Sequence, residues 1–177
     1  MTDKEAIKTI KNQGSKPAGM ILFNRYEKKV FSFYRYMGLN IEDAEDLTQE
    51  VFERVFRFCK SFNLEKPFKP WLYQIMRNRL IDFRRINSKM TCIDINGYDF
   101  KETINYGYNE EDYKALNHAL SKLENHEKEL ILLAKFHRLS YAEIATILGI
   151  SESAIKTKVH RIIKKLTDYF KKHHTNE

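Results

Sequence analysis

The sequence predicts an all-α protein built from two small helical domains that are joined by a flexible acidic linker. Three observations support this fold class. The 177 residues include only 6 glycines and 3 prolines, which favours long helices over strands and tight turns. Apolar residues recur at steps of three and four in two separate regions of the chain. Between these regions lies an acidic stretch with two glycines and no helical apolar period.

The N-terminal domain is predicted to span residues 20–86 and to follow a polar segment, residues 1–19. Its first helix runs from about Ala18 to Met37, and Gly38 is the predicted C-cap. Its second helix runs from about Ile41 to Cys59. Apolar residues line one face of each helix: Leu22, Tyr26, Val30, Phe31 and Phe33 in the first, and Ala44, Leu47, Val51, Val55 and Phe58 in the second.

The third helix, FKPWLYQIMRNRLIDFRR, spans residues 68–85 and begins with Pro70 in its first turn. It mixes aromatic residues with five lysines and arginines. Aromatic rings stack on unpaired bases, typically worth ~1–3 kcal/mol per base, while arginines follow the phosphate backbone. This composition favours a helix that holds DNA strands apart. The alternative is a core role for the apolar members, which we accept for Leu72 and Phe83 and leave open for Trp71.

Charge divides the chain into two basic blocks and one acidic block. Residues 1–86 hold 17 Lys and Arg against 11 Asp and Glu, residues 87–113 hold 2 against 6, and residues 114–177 hold 12 against 7. Basic blocks favour a polyanionic partner. The acidic block predicts a linker, residues 87–112. It is either an ordinary tether or a segment whose charge keeps it off phosphate-binding surfaces or lets it occupy a basic channel.

The strongest local motif lies in the predicted C-terminal domain, residues 113–172. It is the helix-turn-helix pattern LSYAEIATILGISESAIKTKVHRIIKKL, residues 139–166. Gly149 supplies the turn and Ser151 the N-cap of the second helix. Apolar residues that are expected to face inward are Ile144, Ala145 and Leu148 in the first helix and Ile155, Val159, Ile162 and Leu166 in the second. Two upstream helices, Tyr113–Leu123 and His126–Phe136, would complete the core.

The opposite face of the second helix is polar and basic, with Ser153, Lys156, Thr157, Lys158, His160, Arg161 and Lys164. A helix-turn-helix protein places the exposed N-terminal part of this helix in the DNA major groove. Lysine and arginine then bind guanine edges or phosphates. The alternative is a helical hairpin whose basic face is only solvated. The coincidence of glycine, cap and apolar spacing favours DNA binding.

Other classes of protein are disfavoured by composition. Cys59 and Cys92 form no CxxC pair and have no histidine at ligand spacing, which argues against a zinc site and a disulfide framework. No apolar run approaches the ~18 residues of a membrane span, and the N-terminus lacks the apolar core of a signal peptide. We therefore expect a cytoplasmic protein with no metal, no cofactor and no direct membrane insertion.

Three motifs in this order resemble the extracytoplasmic-function group of the sigma-70 family of bacterial RNA polymerase sigma factors. They are DAEDLTQEVFERVF (residues 43–56), the aromatic-basic helix and the helix-turn-helix pattern. The resemblance covers residues 20–86 as sigma region 2 and residues 113–170 within sigma region 4. It implies a non-catalytic protein that binds core RNA polymerase, recognises a minus-thirty-five element as duplex DNA and opens the minus-ten element.

The resemblance assigns site residues to three surfaces. The surface for core polymerase is Asp43, Asp46, Gln49, Glu50, Glu53 and Arg54. The surface for the minus-ten element is Asn63, Lys66, Phe68, Lys69, Trp71, Tyr73, Arg77, Asn78 and Arg84, with Asn78 where the family contacts a flipped base. The surface for the minus-thirty-five element is Ser153, Lys156, Thr157, Lys158, His160 and Arg161. The linker resembles the family segment that threads the RNA exit channel.

The resemblance also implies partners and shows one departure. The implied partners are core RNA polymerase, through the clamp helices of its largest subunit and its flap, promoter DNA, and an anti-sigma factor, which is membrane-anchored in many relatives. No small-molecule substrate is implied. His137 and Arg138 stand where many relatives have an acidic residue and a glycine.

Two other functions fit part of the sequence. Asp43, Asp46 and Glu50 share one helix face and resemble magnesium ligands of a DNA nuclease, but Glu45 points away and no nucleophile is evident. A stand-alone helix-turn-helix regulator with an N-terminal sensor or dimerisation domain would bind duplex DNA without polymerase. That account leaves the aromatic-basic helix without a role.

Overall fold

The computed structural model describes residues 1–87 and 118–174. Every regular element in these two ranges is a helix, which confirms the predicted all-α class. The chain divides into two compact units, Met1–Lys101 and Glu102–Glu177. The predicted linker after Asn87 and the first part of the predicted Tyr113–Leu123 helix lie outside the described residues. In the described part, none of the helices is long and apolar enough to cross a membrane.

Residues 1–87, the described part of the N-terminal unit, form four α-helices, and the sequence marks the start of the first three. Helix N-termini leave backbone N–H groups unbonded, and the side chains of Thr2, Ser15 and Asn40 each accept one of them. The helices are α1 (Asp3–Gln13), α2 (Lys16–Tyr36), α3 (Ile41–Phe58) and α4 (Phe68–Asn87), with a short 3-10 turn, Cys59–Ser61, after α3.

Helix α1 lies inside the stretch that we described from the sequence as a polar segment. Ala6, Ile7 and Ile10 fall at steps of one, three and four residues, so a helix places all three on one face, where they are buried. The helix then ends at Gly14, whose φ of 60° is in the left-handed region. A narrow apolar stripe therefore incorporates residues 3–13 into the N-terminal unit.

Helices α2, α3 and α4 form the core of the N-terminal unit. The predicted inward residues Leu22, Val30, Val51 and Val55 are buried. The buried hydroxyl of Tyr34 donates to the carbonyl oxygen of Met76 at 3.0 Å, which joins α2 to α4. Burial raises the pKa of this hydroxyl well above the ordinary tyrosine range, so it remains a neutral donor.

One predicted core residue of α3 is wrong. Phe58 is 45% exposed, because α3 ends there and the chain turns into the 3-10 turn. The next residue, Cys59, is buried in its place, and its thiol donates to the carbonyl oxygen of Phe56 at 3.0 Å. The change of helix type at residue 59 thus shifts the inward direction by one residue.

An ion pair crosses from α4 to α3. The guanidinium of Arg79 pairs with the carboxylate of Glu50 and, on its own helix, with Asp82 at 3.3 Å. Arg79 is mostly buried, whereas Glu50 is partly exposed. Breaking a pair of this kind leaves a desolvated guanidinium without its carboxylate, which costs more than the intact pair contributes.

Between residues 118 and 174, the C-terminal unit consists of short helices that pack on one long helix. Residues 118–121 are helical and are followed by three helices and a π-helical turn. They are α5 (Asn125–Ile131), the π-helical turn (Leu132–Phe136), α6 (Tyr141–Leu148) and α7 (Glu152–His174). The core contains the predicted residues Ile144, Ile155, Val159 and Ile162.

The inward face of α6 differs from the predicted one by one position. Ala145 and Leu148 are only half-buried, and Ile147 is buried instead. Leu166, predicted to end the buried stripe of α7, is also half-buried. A helix of eight residues such as α6 has little more than two turns, so its sequence alone does not show which of several neighbouring apolar side chains turns inward.

Helix α7 is also tied to α5 by a charged contact. Lys165 donates to the Glu127 carboxylate at 2.7 Å. Burial alone would raise the pKa of Glu127, but the hydrogen bonds from Lys165 and from the backbone N–H of Glu124 lower it below the ordinary value. Glu127 is therefore ionised at neutral pH and holds the middle of α7 against the rest of the unit.

The turn before α6 contains a strained residue. Arg138 has a φ of 52°, and it is the one residue other than glycine with a positive φ in the described ranges. For a residue with a Cβ atom this conformation costs roughly 1–2 kcal/mol. This is the position where the sequence analysis noted that many relatives carry glycine.

Replacing Arg138 with glycine should stabilise the C-terminal unit. We expect Arg138→Gly to raise its free energy of unfolding by about 1 kcal/mol, because glycine adopts a positive φ without a clash. Denaturant unfolding of the full chain, followed by circular dichroism, would measure this change. Arg138→Ala is the matched control, since it removes the same side-chain atoms but keeps the Cβ atom. An equal gain in both variants would contradict the backbone explanation.

Candidate nucleic-acid interface

The first candidate surface is the polar face of α7. All residues that the sequence analysis assigned to the minus-thirty-five element are exposed in the structure: Ser153, Lys156, Thr157, Lys158, His160 and Arg161. The buried residues Ile155, Val159 and Ile162 lie on the opposite face of the same helix. The division follows the helical period, so the same spacing that anchors α7 leaves a continuous basic face for a ligand.

The turn between α6 and α7 fixes this surface. Gly149 has a φ of 69°, and its N–H donates to the carbonyl oxygen of Ala145 at 2.9 Å. An added Cβ at Gly149 would meet no atom within 4 Å, so backbone conformation and not space requires the glycine. The hydroxyl of Ser151 then accepts the N–H of Ala154 at 3.3 Å, which confirms the predicted N-cap.

The second candidate surface is formed by the loop before α4 and the start of α4. Asn63 and Lys66 are exposed in this loop. The side-chain oxygen of Asn63 accepts the N–H of Glu65 at 2.9 Å, and its carbonyl oxygen accepts the N–H of Lys66 at 3.0 Å. Asn63 therefore shapes the turn through its own backbone and side chain. Lys69 is half-buried at the helix start.

Trp71 is half-buried at the border of the loop. Its ring centroid lies 4.6 Å from that of Phe62 and 5.8 Å from that of Phe68. Such tilted ring contacts stabilise an aromatic pair by roughly 0.5–1.5 kcal/mol beyond area burial. One side of the indole therefore packs on the rings of Phe62 and Phe68, and the rest of it is exposed. Trp71 thus combines the core role and the surface role that the sequence left open.

Two aromatic residues assigned to the minus-ten surface are core residues instead. Phe68 is 4% exposed and contacts the rings of Tyr26, Phe62 and Trp71. Tyr73 is 1% exposed. Neither ring is presented to a ligand in this structure. The family resemblance placed both residues on this surface, and only the tertiary packing shows that their rings turn inward.

Polar residues of α4 divide between the surface and the scaffold. Asn78 is exposed, and its side-chain oxygen accepts a hydrogen bond from the Gln74 amide at 3.0 Å. Arg77 is half-buried. The Arg84 guanidinium donates to the carbonyl oxygen of Met37 at 2.8 Å. Arg84 therefore satisfies the C-terminal end of α2, a structural role that the sequence analysis did not assign to it.

The third candidate surface is the exposed face of α3. Asp46, Gln49 and Glu53 follow each other at steps of three and four residues and are exposed. Asp43 and Arg54 are half-buried beside them. Glu50 is the exception, because its carboxylate pairs with Arg79. Among residues 1–87 and 118–174, no group of three or more His, Cys, Asp or Glu side chains is arranged to hold a metal ion.

Sequence reasoning missed two residues of the second surface. The ring of Phe62 packs against the indole of Trp71, and the side-chain amide of Gln74 donates a hydrogen bond to the side chain of Asn78. Gln74 could have been found from its spacing, since residues four apart on a helix are neighbours. Phe62 had no such signal, because it precedes the helix by several loop residues and reaches Trp71 only through the fold.

Comparisons with known proteins identify both units. The family model of sigma-70 region 2 matches residues 22–90, and that of sigma-70 region 4 matches residues 113–166. The chain is 30% identical over 148 residues to the ECF RNA polymerase sigma factor SigM of Bacillus subtilis, covering 82% of this chain and 90% of SigM. It is 29% identical over 175 residues to SigW of the same organism, covering 91% and 92%.

A solved structure shares the fold. It is the sigma factor RpoE of Bartonella quintana in complex with the anti-sigma factor NepR, and it matches with a TM-score of 0.72 at 23% identity. The match covers 86% of this chain and 96% of the RpoE chain. The two matching family models, the curated relatives and the shared helical fold agree: the chain belongs to the extracytoplasmic-function group of the sigma-70 family and is an alternative sigma factor that directs transcription.

Proposed function

We propose that this sigma factor binds core RNA polymerase, recognises a minus-thirty-five element with α7 and opens the minus-ten element with the loop and α4. The observation that carries the proposal is the face of α4 formed by Trp71, Gln74 and Asn78. These residues lie at steps of three and four and are exposed or half-buried, while Leu72, Met76 and Leu80 are buried behind them. A protein that recognises only duplex DNA does not need a half-exposed indole beside an exposed amide. Unpaired bases, in contrast, stack on the indole of Trp71 and form hydrogen bonds with the amide of Asn78.

In this mechanism strand opening is an equilibrium that the protein shifts. Trp71 and Asn78 bind bases only after those bases have left the duplex. The free energy of this binding therefore favours the open state. Lys66, Lys69 and Arg77 supply positive charge for the phosphates of the separated strand. No covalent chemistry is required of the chain, and the proposal assigns it no catalytic residue.

Binding two DNA elements through one polymerase raises the effective concentration of each contact. The α7 surface and the α4 surface belong to separate compact units of one chain. Each unit alone should bind DNA weakly and with strong salt dependence. Bound to the same polymerase, the second contact becomes intramolecular, and the overall affinity rises without any new contact.

The acidic face of α3 is the surface that we assign to core polymerase. Asp46, Gln49 and Glu53 are its exposed members, and we propose that they meet the clamp helices of the largest subunit. Complementary charge across such a contact increases the association rate and fixes orientation. Glu50 contributes mainly by holding Arg79, and thus by holding α3 against α4. The flap of core polymerase is the proposed partner of the C-terminal unit.

An anti-sigma factor is a further proposed partner. The support is the structure of the related RpoE, which was solved with the anti-sigma factor NepR bound. A partner that covers the exposed face of α3 would compete with polymerase, and this competition would hold the sigma factor inactive.

The first expected result is transcription that depends on this protein. Purified protein should co-elute with bacterial core RNA polymerase, and the holoenzyme should select and transcribe promoters from a randomised DNA library. Core polymerase alone is the control. Binding of duplex operator DNA by the free protein, with no polymerase association, would support the stand-alone regulator instead and overturn the proposed function.

Trp71→Ala and Asn78→Ala should impair promoter opening while core binding is retained. We expect each to reduce open-complex formation by about 1–3 kcal/mol, because one stacking or base-edge contact is lost. Permanganate reactivity of thymines in the minus-ten element would measure opening, and co-elution would measure core binding. Ile86→Ala is the control, since it removes an exposed apolar side chain from the same helix, about four turns from Trp71 and about two turns from Asn78. Normal opening in both variants would contradict the role of this face.

Arg161→Ala distinguishes base recognition from phosphate binding on α7. If Arg161 reads a base, we expect a loss of about 1–3 kcal/mol on the selected minus-thirty-five element and little change on unrelated DNA. A phosphate contact would weaken binding to all sequences and reduce the salt slope by about one unit. Lys135→Ala removes one exposed charge outside α7 and serves as the control. Unchanged binding to every sequence would remove Arg161 from the interface.

A further inference from the structure

A part-buried hydrogen bond joins helix α1 to the loop of the second candidate surface. The Lys11 ammonium donates to the carbonyl oxygen of Phe62 at 3.1 Å, across 51 positions of sequence. Phe62 is where the chain leaves the 3-10 turn, and its own N–H donates to the carbonyl oxygen of Cys59 at 3.2 Å. Lys11 therefore bonds the backbone of the first loop residue from outside the loop.

The backbone at Phe62 determines the position of the ring on which Trp71 packs. The Phe62 side chain is buried, with its ring centroid 4.6 Å from that of Trp71 and 6.4 Å from that of Phe68. Trp71 is held by this ring on one side and is partly exposed on the other. A shift of the Phe62 backbone would move its ring and, with it, the indole that the proposed function uses.

Helix α1 is fixed well enough to act as a support. Asp3 pairs with Arg25 and accepts a hydrogen bond from the Tyr26 hydroxyl, and both partners lie on α2. The ring of Tyr26 lies 5.5 Å from that of Phe68, so the anchor of α1 is joined to the same aromatic cluster. Burial raises the pKa of the Tyr26 hydroxyl, and the hydrogen bond to Asp3 raises it further, which keeps the hydroxyl a donor.

A second charged contact to the loop contributes little. Lys4 lies 3.6 Å from the Glu65 carboxylate, but the two side chains are 64% and 84% exposed. Exposed pairs of this kind contribute little, because water and salt screen the two charges. The Lys11 bond to a backbone carbonyl is the stronger of the two contacts, because it is part-buried and its donor is charged.

We propose that Lys11 is a positioning residue for promoter opening, which holds the Phe62 backbone so that Trp71 is oriented before unpaired bases arrive. This inference rests on the proposed function of the α4 face. Lys11 itself touches no DNA in this account. A loop that is already ordered loses less conformational entropy on binding, so the contact favours the open complex without adding a contact to it.

The test compares Lys11→Met with Lys8→Met in the full chain, each assembled with core RNA polymerase. Lys11→Met keeps the apolar stem and removes the donor. Lys8 is exposed on the same helix and forms no hydrogen bond or ion pair within residues 1–87, so Lys8→Met makes the same chemical change away from the loop. The DNA is a promoter selected by the wild-type holoenzyme, with 2-aminopurine in the minus-ten element.

We expect Lys11→Met to reduce open-complex formation by about tenfold, the equivalent of about 1.4 kcal/mol. Lys8→Met should resemble the wild type, and Lys11→Arg, which keeps a donor, should recover most of the loss. Core polymerase binding should be nearly unchanged in all three variants, and only Lys11→Met should lower the unfolding temperature, by several degrees, because it loses one part-buried hydrogen bond. Preference among minus-ten base substitutions should be weaker in Lys11→Met, since a loosely held indole discriminates less between bases.

Two results would overturn the inference. One is equal opening by Lys11→Met and Lys8→Met, which would make the contact irrelevant to function. The other is a parallel loss of core binding, unfolding temperature and opening with unchanged base preference, which would make Lys11 merely structural. A wild-type protein that fails to direct transcription would instead overturn the proposed function, so the two failures are distinguishable.

Discussion

The division of α4 into a buried and an exposed face is the constraint on which the rest of the N-terminal unit depends. Leu72, Met76 and Leu80 recur every four residues and pack into the core. Because the helix cannot rotate without exposing them, Trp71 and Asn78 have a fixed outward direction. The same burial that stabilises the unit therefore sets the outward direction of the side chains that the function uses.

In the C-terminal unit a different arrangement fixes the direction of the recognition face. This is the exposed polar face of α7, with Ser153, Lys156, Thr157, Lys158, His160 and Arg161. The long helix is held by a stripe of buried β-branched residues, by the capped turn at Gly149 and by the Lys165–Glu127 contact. None of these constraints uses Lys156, Lys158, His160 or Arg161, the basic residues of the recognition face, whereas Ser153 shares a hydrogen bond with the Ser151 cap at 3.1 Å. Changes on that face should consequently alter DNA sequence preference with little effect on folding, since exposed substitutions away from such constraints usually change stability only slightly.

Much of this arrangement could be predicted from sequence, and the failures share a physical cause. Helical period and turn chemistry are local, so the helix-turn-helix, its Ser151 cap and the exposed face of α7 were predicted correctly. Contacts between distant segments determine the burial of Tyr73, the hydrogen bond from Arg84 to the end of α2 and the packing of Phe62 against Trp71. A period shows which residues share a face, but it does not show which face meets the core.

The burial of one side of α1 has a practical consequence for dissecting this protein. A fragment that begins at residue 20, the predicted start of the domain, lacks all of α1 and the first turn of α2, and so uncovers the surface of α2 on which α1 packs. Newly exposed apolar patches of this sort promote self-association. Such a fragment would aggregate for reasons unrelated to promoter recognition. Its failure to bind DNA in an assay would therefore give no information about DNA binding by the intact chain.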